Sequence, residues 1–234
     1  MGESVDEALP RPYEFLKFAN PPLHMIFVPH FKIKSLSFII SIVFIIAFIV
    51  LLIYSYSQPD QTKMTWNCSI FELQNKYYPR LRYSFQFWRI LVSGIFHSNI
   101  AHFVLNLIGF QIYAYFVEWY YGKLKFGLTL LFSVIVSHLF SCVALPTTVS
   151  TVSSSILYAT IALKVYFLIE YRSYKPLLTR RIFIYILLVL ITIVNLIPIF
   201  VNNNVDFTTH LGGFICGGLM GLFFHFQREE NTTK

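Results

Sequence analysis

The sequence predicts an all-α membrane protein, a bundle of six transmembrane helices joined by short loops. Two observations carry that prediction. Of 234 residues, 56% are hydrophobic and only 12% charged, whereas a soluble domain carries about 25% charged residues and needs them to cover its surface. The mean hydropathy is +0.62, and the apolar residues gather into runs able to cross a hydrocarbon core of about 30 Å at about 1.5 Å per residue. Lys and Arg number 18 against 11 Asp and Glu, a net +7. In an integral protein such an excess marks cytoplasmic loops and gives no reason to expect a nucleic-acid partner. Cys68, Cys142 and Cys216 stand apart with no CxxC pair, which indicates neither a zinc site nor a disulfide framework.

Residues 1–35 are polar and proline-rich and end in Lys32-Ile33-Lys34. They read as a cytosolic tail, without the pattern of a cleavable signal or a transit peptide. The uncharged run from Leu36 to Tyr54 is the first span. Residues 55–99 form a long first loop that holds the sequon Asn67-Cys68-Ser69 and an amphipathic run from Tyr77 to Trp88. Further spans are predicted from Ile100 to Val117, Phe126 to Leu145, Ser154 to Ile169, Ile182 to Phe200 and Phe207 to Phe226. Residues 36–226 are thus one six-span domain, and 227–234 a cytosolic tail. With the N-terminus inside, twelve Lys and Arg fall on cytosolic segments and five on the other side, so both termini are expected in the cytosol. Asn67 then faces the lumen or exterior as a glycosylation candidate, while Asn231-Thr232-Thr233 is silent. The remaining cation, Lys164, lies in the inner part of the fourth span and is expected to snorkel towards the cytosolic face.

The first span is featureless and is expected to face lipid. The second, fourth and sixth carry residues that are small or costly in a bilayer, and so face the protein interior. Their polar groups all fall near the same membrane face: His97, His102 and Asn106 in or beside the second span, Ser153, Ser154 and Ser155 in the fourth, His210 in the sixth. His102 and Asn106 share a helical face at i, i+4, as do Ser154 and Tyr158. Taken singly, each group has an ordinary reading as a packing residue, an N-cap or an interfacial histidine. Together they meet the needs of acyl transfer: a hydroxyl, a base to take its proton, and fixed donors for an oxyanion in a water-poor site. Ser154 would be the nucleophile and His210 the base, with His102, Asn106 and local backbone amides as donors. Gly213, Gly217 and Gly221 form a small-residue stripe on the sixth span, on the His210 face. Packing that stripe on the fourth span would bring His210 towards Ser154.

From about Phe87 to Phe224 these residues resemble the rhomboid family of intramembrane serine proteases. Trp88-Arg89 is similar to its WR pair, His97-xxxx-His102-xxx-Asn106 to its second-span pattern, and Glu118 with Gly122 to the E-xxx-G that closes that span. Tyr158 matches the aromatic one turn after the nucleophile, and Val205-Asp206-Phe207-Thr208-Thr209-His210-Leu211-Gly212-Gly213-Phe214 resembles the sixth-span VDN-x-x-H-x-GG-F motif. The departure is at GxSG, where this chain reads Val152-Ser153-Ser154-Ser155. Counting back from Tyr158 puts Ser154 at the catalytic position, with Ser153 and Ser155 as fallback nucleophiles. Glycine at the two replaced positions would allow close backbone approach.

The resemblance implies a six-span bundle whose shorter fourth span starts in a cavity open to the exoplasmic side. It implies cleavage of single-pass transmembrane substrates, within or beside their spans, by a Ser154-His210 dyad without metal or other cofactor. Trp88, Arg89, His97, Glu118, Gly122, Gly213 and Gly217 would be structural, and Asp206 a loop or cap residue, not a triad member. The alternative is a proteolytically silent relative that binds transmembrane clients for quality control or trafficking. A transporter using the histidines lacks acidic residues within the spans, and a zinc protease lacks HExxH. The sequon favours an endomembrane or plasma membrane; substrate, organelle and oligomeric state are not legible.

Overall fold

The computed structural model describes residues 32–57, 76–170, 186, 190 and 206–232, with side chains to Gln227. Their helices, in chain order, are α1 (Leu36–Tyr56), α2 (Tyr78–Ser84), α3 (Arg89–Val92), α4 (Ile100–Tyr121), α5 (Lys123–Ala144), α6 (Ser154–Glu170) and α7 (Phe207–Thr232). Among the described residues, the only β pairing outside helices is an isolated antiparallel bridge between Lys76 and Ser150. Among the described residues, four helices are long and apolar enough to cross a membrane: α1, α4, α5 and the Phe207–Gln227 part of α7. The predicted fifth span, Ile182 to Phe200, lies outside the described residues apart from Ile186 and Leu190, which are helical and exposed.

Local chemistry sets the helix ends. Ser35 caps α1 by accepting from the Phe38 amide, and Asn99 caps α4 by accepting from the His102 amide. The second span ends at Tyr121, four residues beyond the predicted Val117, because Gly122 is the first residue able to turn the chain. Gly122 has φ 84°, which a residue with a Cβ rarely adopts, and its amide bonds the Glu118 carbonyl at 2.8 Å. The turn is so tight that α5 begins at Lys123, ahead of the predicted Phe126. It stops at Ala144, two residues before Pro146, whose ring excludes a helical predecessor. The amphipathic run of the first loop breaks into α2 and α3 at Phe85, a non-glycine residue at positive φ.

The central element is α6. At 17 residues it is about 26 Å long, shorter than the hydrocarbon core. Every residue from Ser154 to Lys164 is buried, and α4, α5 and α7 pack around it. The predicted snorkelling of Lys164 is not what the fold does: its ammonium lies 2.8 Å from the centre of the Phe116 ring, and the residue is 1% exposed. By contrast α1 is peripheral, as its uniform sequence suggests. Ile39, Ile46, Val50 and Ile53 are exposed, while Ser37, Ser41, Phe44, Phe48 and Leu51 are buried against the bundle.

Apolar burial gives little association energy inside a bilayer, so close approach of backbones must hold the helices together. The glycines of α7 supply it. A Cβ on Gly213 would lie 2.5 Å from the Ser155 carbonyl oxygen, and one on Gly212 would lie 2.8 Å from Ser137 Cα. Gly217 is pressed in the same way on the backbone of Ala159, and Gly221 on the ring of Tyr166. The adjacent pair Gly212-Gly213 therefore seats α7 against α5 and α6 at once.

Glu118 bonds the start of α1. Its carboxylate accepts from the amides of Leu36 (2.8 Å) and Ser37 (2.7 Å) and from the Ser37 hydroxyl (2.6 Å). It thereby places negative charge on the positive end of α1 and fixes the first span to the second.

Candidate active site

Packing at Gly213 decides the geometry of the site, because Ser155 and Gly213 are one and three residues from Ser154 and His210. With those two backbones in contact, the start of α6 and the first turn of α7 lie side by side. Ser154 and His210 are 2% and 5% exposed. The imidazole of His210 stacks face to face on the ring of Tyr158, centroids 4.4 Å apart and planes 13° from parallel. Phe207 meets the same imidazole edge-on at 6.4 Å. His210 Nδ1 has no hydrogen-bond partner among the described residues, and no carboxylate among them bonds it there.

Neither replaced glycine position strains the backbone. Among the described residues only Phe85 and Gly122 have positive φ, so Val152 and Ser155 need no left-handed conformation. The Val152 amide bonds the Ser93 carbonyl at 2.9 Å, and its side chain is fully buried. The close approach that glycine would allow at 155 is supplied from the other side by Gly213. The hydroxyls of Ser153 and Ser155, on either side of Ser154 in the chain, are buried and have no partner among the described residues.

The second span contributes from α4. Asn106 is 2% exposed, and among the described residues both its amide nitrogen and its oxygen lack partners. A buried amide without partners is costly, so its donor is available to a bound group. His102 is tied through Nδ1 to Ser98 Oγ at 3.0 Å. His97 is set back: its ring is buried edge-on against His102 (5.4 Å), Phe44 (5.2 Å) and Phe103 (5.4 Å). Among the predicted structural residues, Arg89 is buried with Nε on Gln86 Oε1 at 2.6 Å, whereas Trp88 is 55% exposed. Asn67 lies outside the described residues.

Asp206 is the cap of α7. Its Oδ1 accepts from the Thr208 amide at 3.1 Å, and its Oδ2 accepts from Ser141 Oγ and, at 2.7 Å, from Ser150 Oγ. Lys76 Nζ stands 3.7 Å from the same carboxylate. Burial alone would raise the Asp206 carboxyl, but the bonds from Ser141, Thr208 and Ser150 and the charge of Lys76 hold it below its ordinary value. Burial pulls the Lys76 ammonium down, and the attraction of Asp206 restores part of that shift.

Sequence reasoning missed the polar face of the third span. Thr129, Ser133, Ser137 and Ser141 of α5 recur every four residues and are all fully buried. His138 is buried beside them, its Nδ1 2.9 Å from Ser93 Oγ. The four-residue spacing of small hydroxyls was the available signal, of the same kind as the glycine stripe of α7.

A family model described as the rhomboid domain matches residues 84–227. Rhomboid-like protease 1 of Toxoplasma gondii is 28% identical over 212 residues, covering 88% of this chain and 69% of its own length. Rhomboid-like protease 3 of the same organism is 28% identical over 148 residues, covering 63% of this chain and 55% of its own.

Proposed function

The chain belongs to the rhomboid family, and from that premise we propose that it is an intramembrane serine protease working by a Ser154-His210 dyad. The observation that carries the reading is the stacking of His210 on Tyr158, one helical turn from Ser154, across the backbone contact of α6 and α7. The relatives' printed names support a proteolytic reading. In the reaction, Ser154 Oγ attacks the scissile carbonyl carbon as His210 takes its proton. The oxyanion accepts hydrogen bonds from the Asn106 amide, His102 and backbone amides at the start of α6. Collapse expels the amine, which takes the proton from His210. Water then attacks the acyl-enzyme with His210 again as base.

Single-pass transmembrane proteins are the proposed substrates, cut within or beside their spans. A helical peptide hides its carbonyl in a hydrogen bond, so helix-breaking residues near the cut should favour cleavage. The second reading, a silent client-binding relative, rests on the filled positions Val152 and Ser155. Purified protein in liposomes, given a transmembrane reporter, separates the two. Loss of product in Ser154→Ala and His210→Ala, but not in Ser153→Ala or Ser155→Ala, is the expected result. Activity surviving Ser154→Ala would move the nucleophile, and a folded parent that cleaves no reporter would favour the silent reading.

We further propose the topology that the charge asymmetry supports, with both termini cytosolic in an endomembrane or plasma membrane and Asn67 on the opposite side. An endoglycosidase-sensitive mobility shift that disappears in Asn67→Gln is the expected outcome. A shift that persists, or its absence in a glycosylating host, would count against that topology or that use of the sequon.

A further inference from the structure

One cluster at this end of the bundle is unused by the proposed chemistry. Lys76 is fully buried in the first loop; its Nζ donates to the Leu145 carbonyl at 2.6 Å and to Thr148 Oγ1 at 2.8 Å, with Asp206 Oδ2 at 3.7 Å. Its backbone pairs with Ser150, the Lys76 amide on the Ser150 carbonyl at 2.8 Å and the return bond at 3.3 Å. Ser150 in turn donates to Asp206 at 2.7 Å. Three distant segments therefore meet at one ion pair: the first loop, the α5–α6 connection and the cap of α7. Ser150 precedes Ser154 by four residues, and Asp206 precedes His210 by four.

A buried ion pair is a weak way to gain stability. Apolar groups of the same volume often serve as well or better, whereas removing one partner leaves a costly orphan charge. What such a pair does supply is a unique arrangement, since each partner tolerates few alternatives. Here the arrangement it selects is the separation of the two chain segments that lead into Ser154 and His210.

We propose that Lys76 and Asp206 are positioning residues that fix the start of α6 against the start of α7, and with it the geometry of the dyad. The inference rests on the protease reading for its consequence but not for its structural content. Two readouts keep these apart. Spin labels on Val149→Cys and Leu211→Cys, both exposed positions, in protein whose native cysteines are replaced by alanine, report the distance between the two segments. Cleavage kinetics report the dyad.

The parent is expected to give one narrow distance. Lys76→Met, Asp206→Asn and the double variant Lys76→Met/Asp206→Leu are each expected to broaden or shift it. They are also expected to lower kcat by up to about 10²-fold with KM little changed, as for a misplacement of about 1 Å. The double variant leaves no orphan charge and so guards against simple unfolding. A parent-like distance in a folded double variant would overturn the proposal whatever the kinetics. A broadened distance in a protein that never cleaves a reporter would leave the clasp standing and remove the protease reading.

Discussion

Among the described residues, the His210 imidazole is met by a ring and by no carboxylate. Its Nδ1 is unpartnered among the described residues, and Tyr158 covers one face at 4.4 Å. The Tyr158 hydroxyl is likewise buried without a partner among the described residues, so the proposed orienting contact is the aromatic face and not the oxygen. Tyr158→Phe is therefore expected to retain most of the parent kcat. Tyr158→Ala loses a stacked pair worth about 1 kcal/mol beyond its area and should lower kcat about tenfold. Cleavage assays on the two variants check this; equal losses in both would assign the role to the hydroxyl. Asn106 is the complementary case, a buried amide with no hydrogen-bond partner among the described residues, as the proposed oxyanion donor requires.

Between elements, the fold depends on where a methyl group does not fit. In Gly213→Ala the new Cβ meets the Ser155 backbone, which cannot rotate away as a side chain can. A loss of about 1–3 kcal/mol is expected, together with loss of activity, because α6 and α7 must part where the dyad sits. Gly212→Ala meets Ser137 Cα and is expected to behave alike. Gly218→Ala is the control: nothing lies within 4 Å of its added methyl, so it should be neutral or gain up to about 1 kcal/mol from helix propensity. Thermal unfolding of the three variants in one detergent gives the order, and a Gly218→Ala as destabilised as Gly212→Ala and Gly213→Ala would show that close backbone approach at Gly212 and Gly213 is not what holds the stripe.

Across the whole molecule, the buried Lys76–Asp206 pair sits at the end of the bundle where the first loop, the α5–α6 connection and the start of α7 converge. The folded Asp206 carboxyl lies below its ordinary value of 3.8, so ionisation favours the folded state. That contribution is complete above the unfolded value and is lost as pH falls through the folded one. Unfolding midpoints from about pH 3 to pH 7 should fall at the acid end in the parent. In Asp206→Asn the neutral-pH stability should be lower, by about 3 kcal/mol for an orphaned Lys76, and the acid dependence flatter. An unchanged acid limb in the variant would place the titration elsewhere.

The sequence by itself determined the membrane class, the order of the helices and most residues of the candidate site. Those properties follow from local pattern: apolar runs of spanning length, turn glycines such as Gly122, and polar groups too costly to face lipid. Only the tertiary structure decided which contacts those residues make. That Gly213 rests on Ser155, that His210 is steered by Tyr158, and that Lys76 reaches Asp206 from the first loop all join segments far apart in the chain. No local spacing encodes such contacts, because they depend on how closely two backbones approach. The same reason hid the hydroxyl face of α5 and the burial of Lys164: in a membrane bundle, helix packing decides whether a polar residue meets lipid, water or another helix.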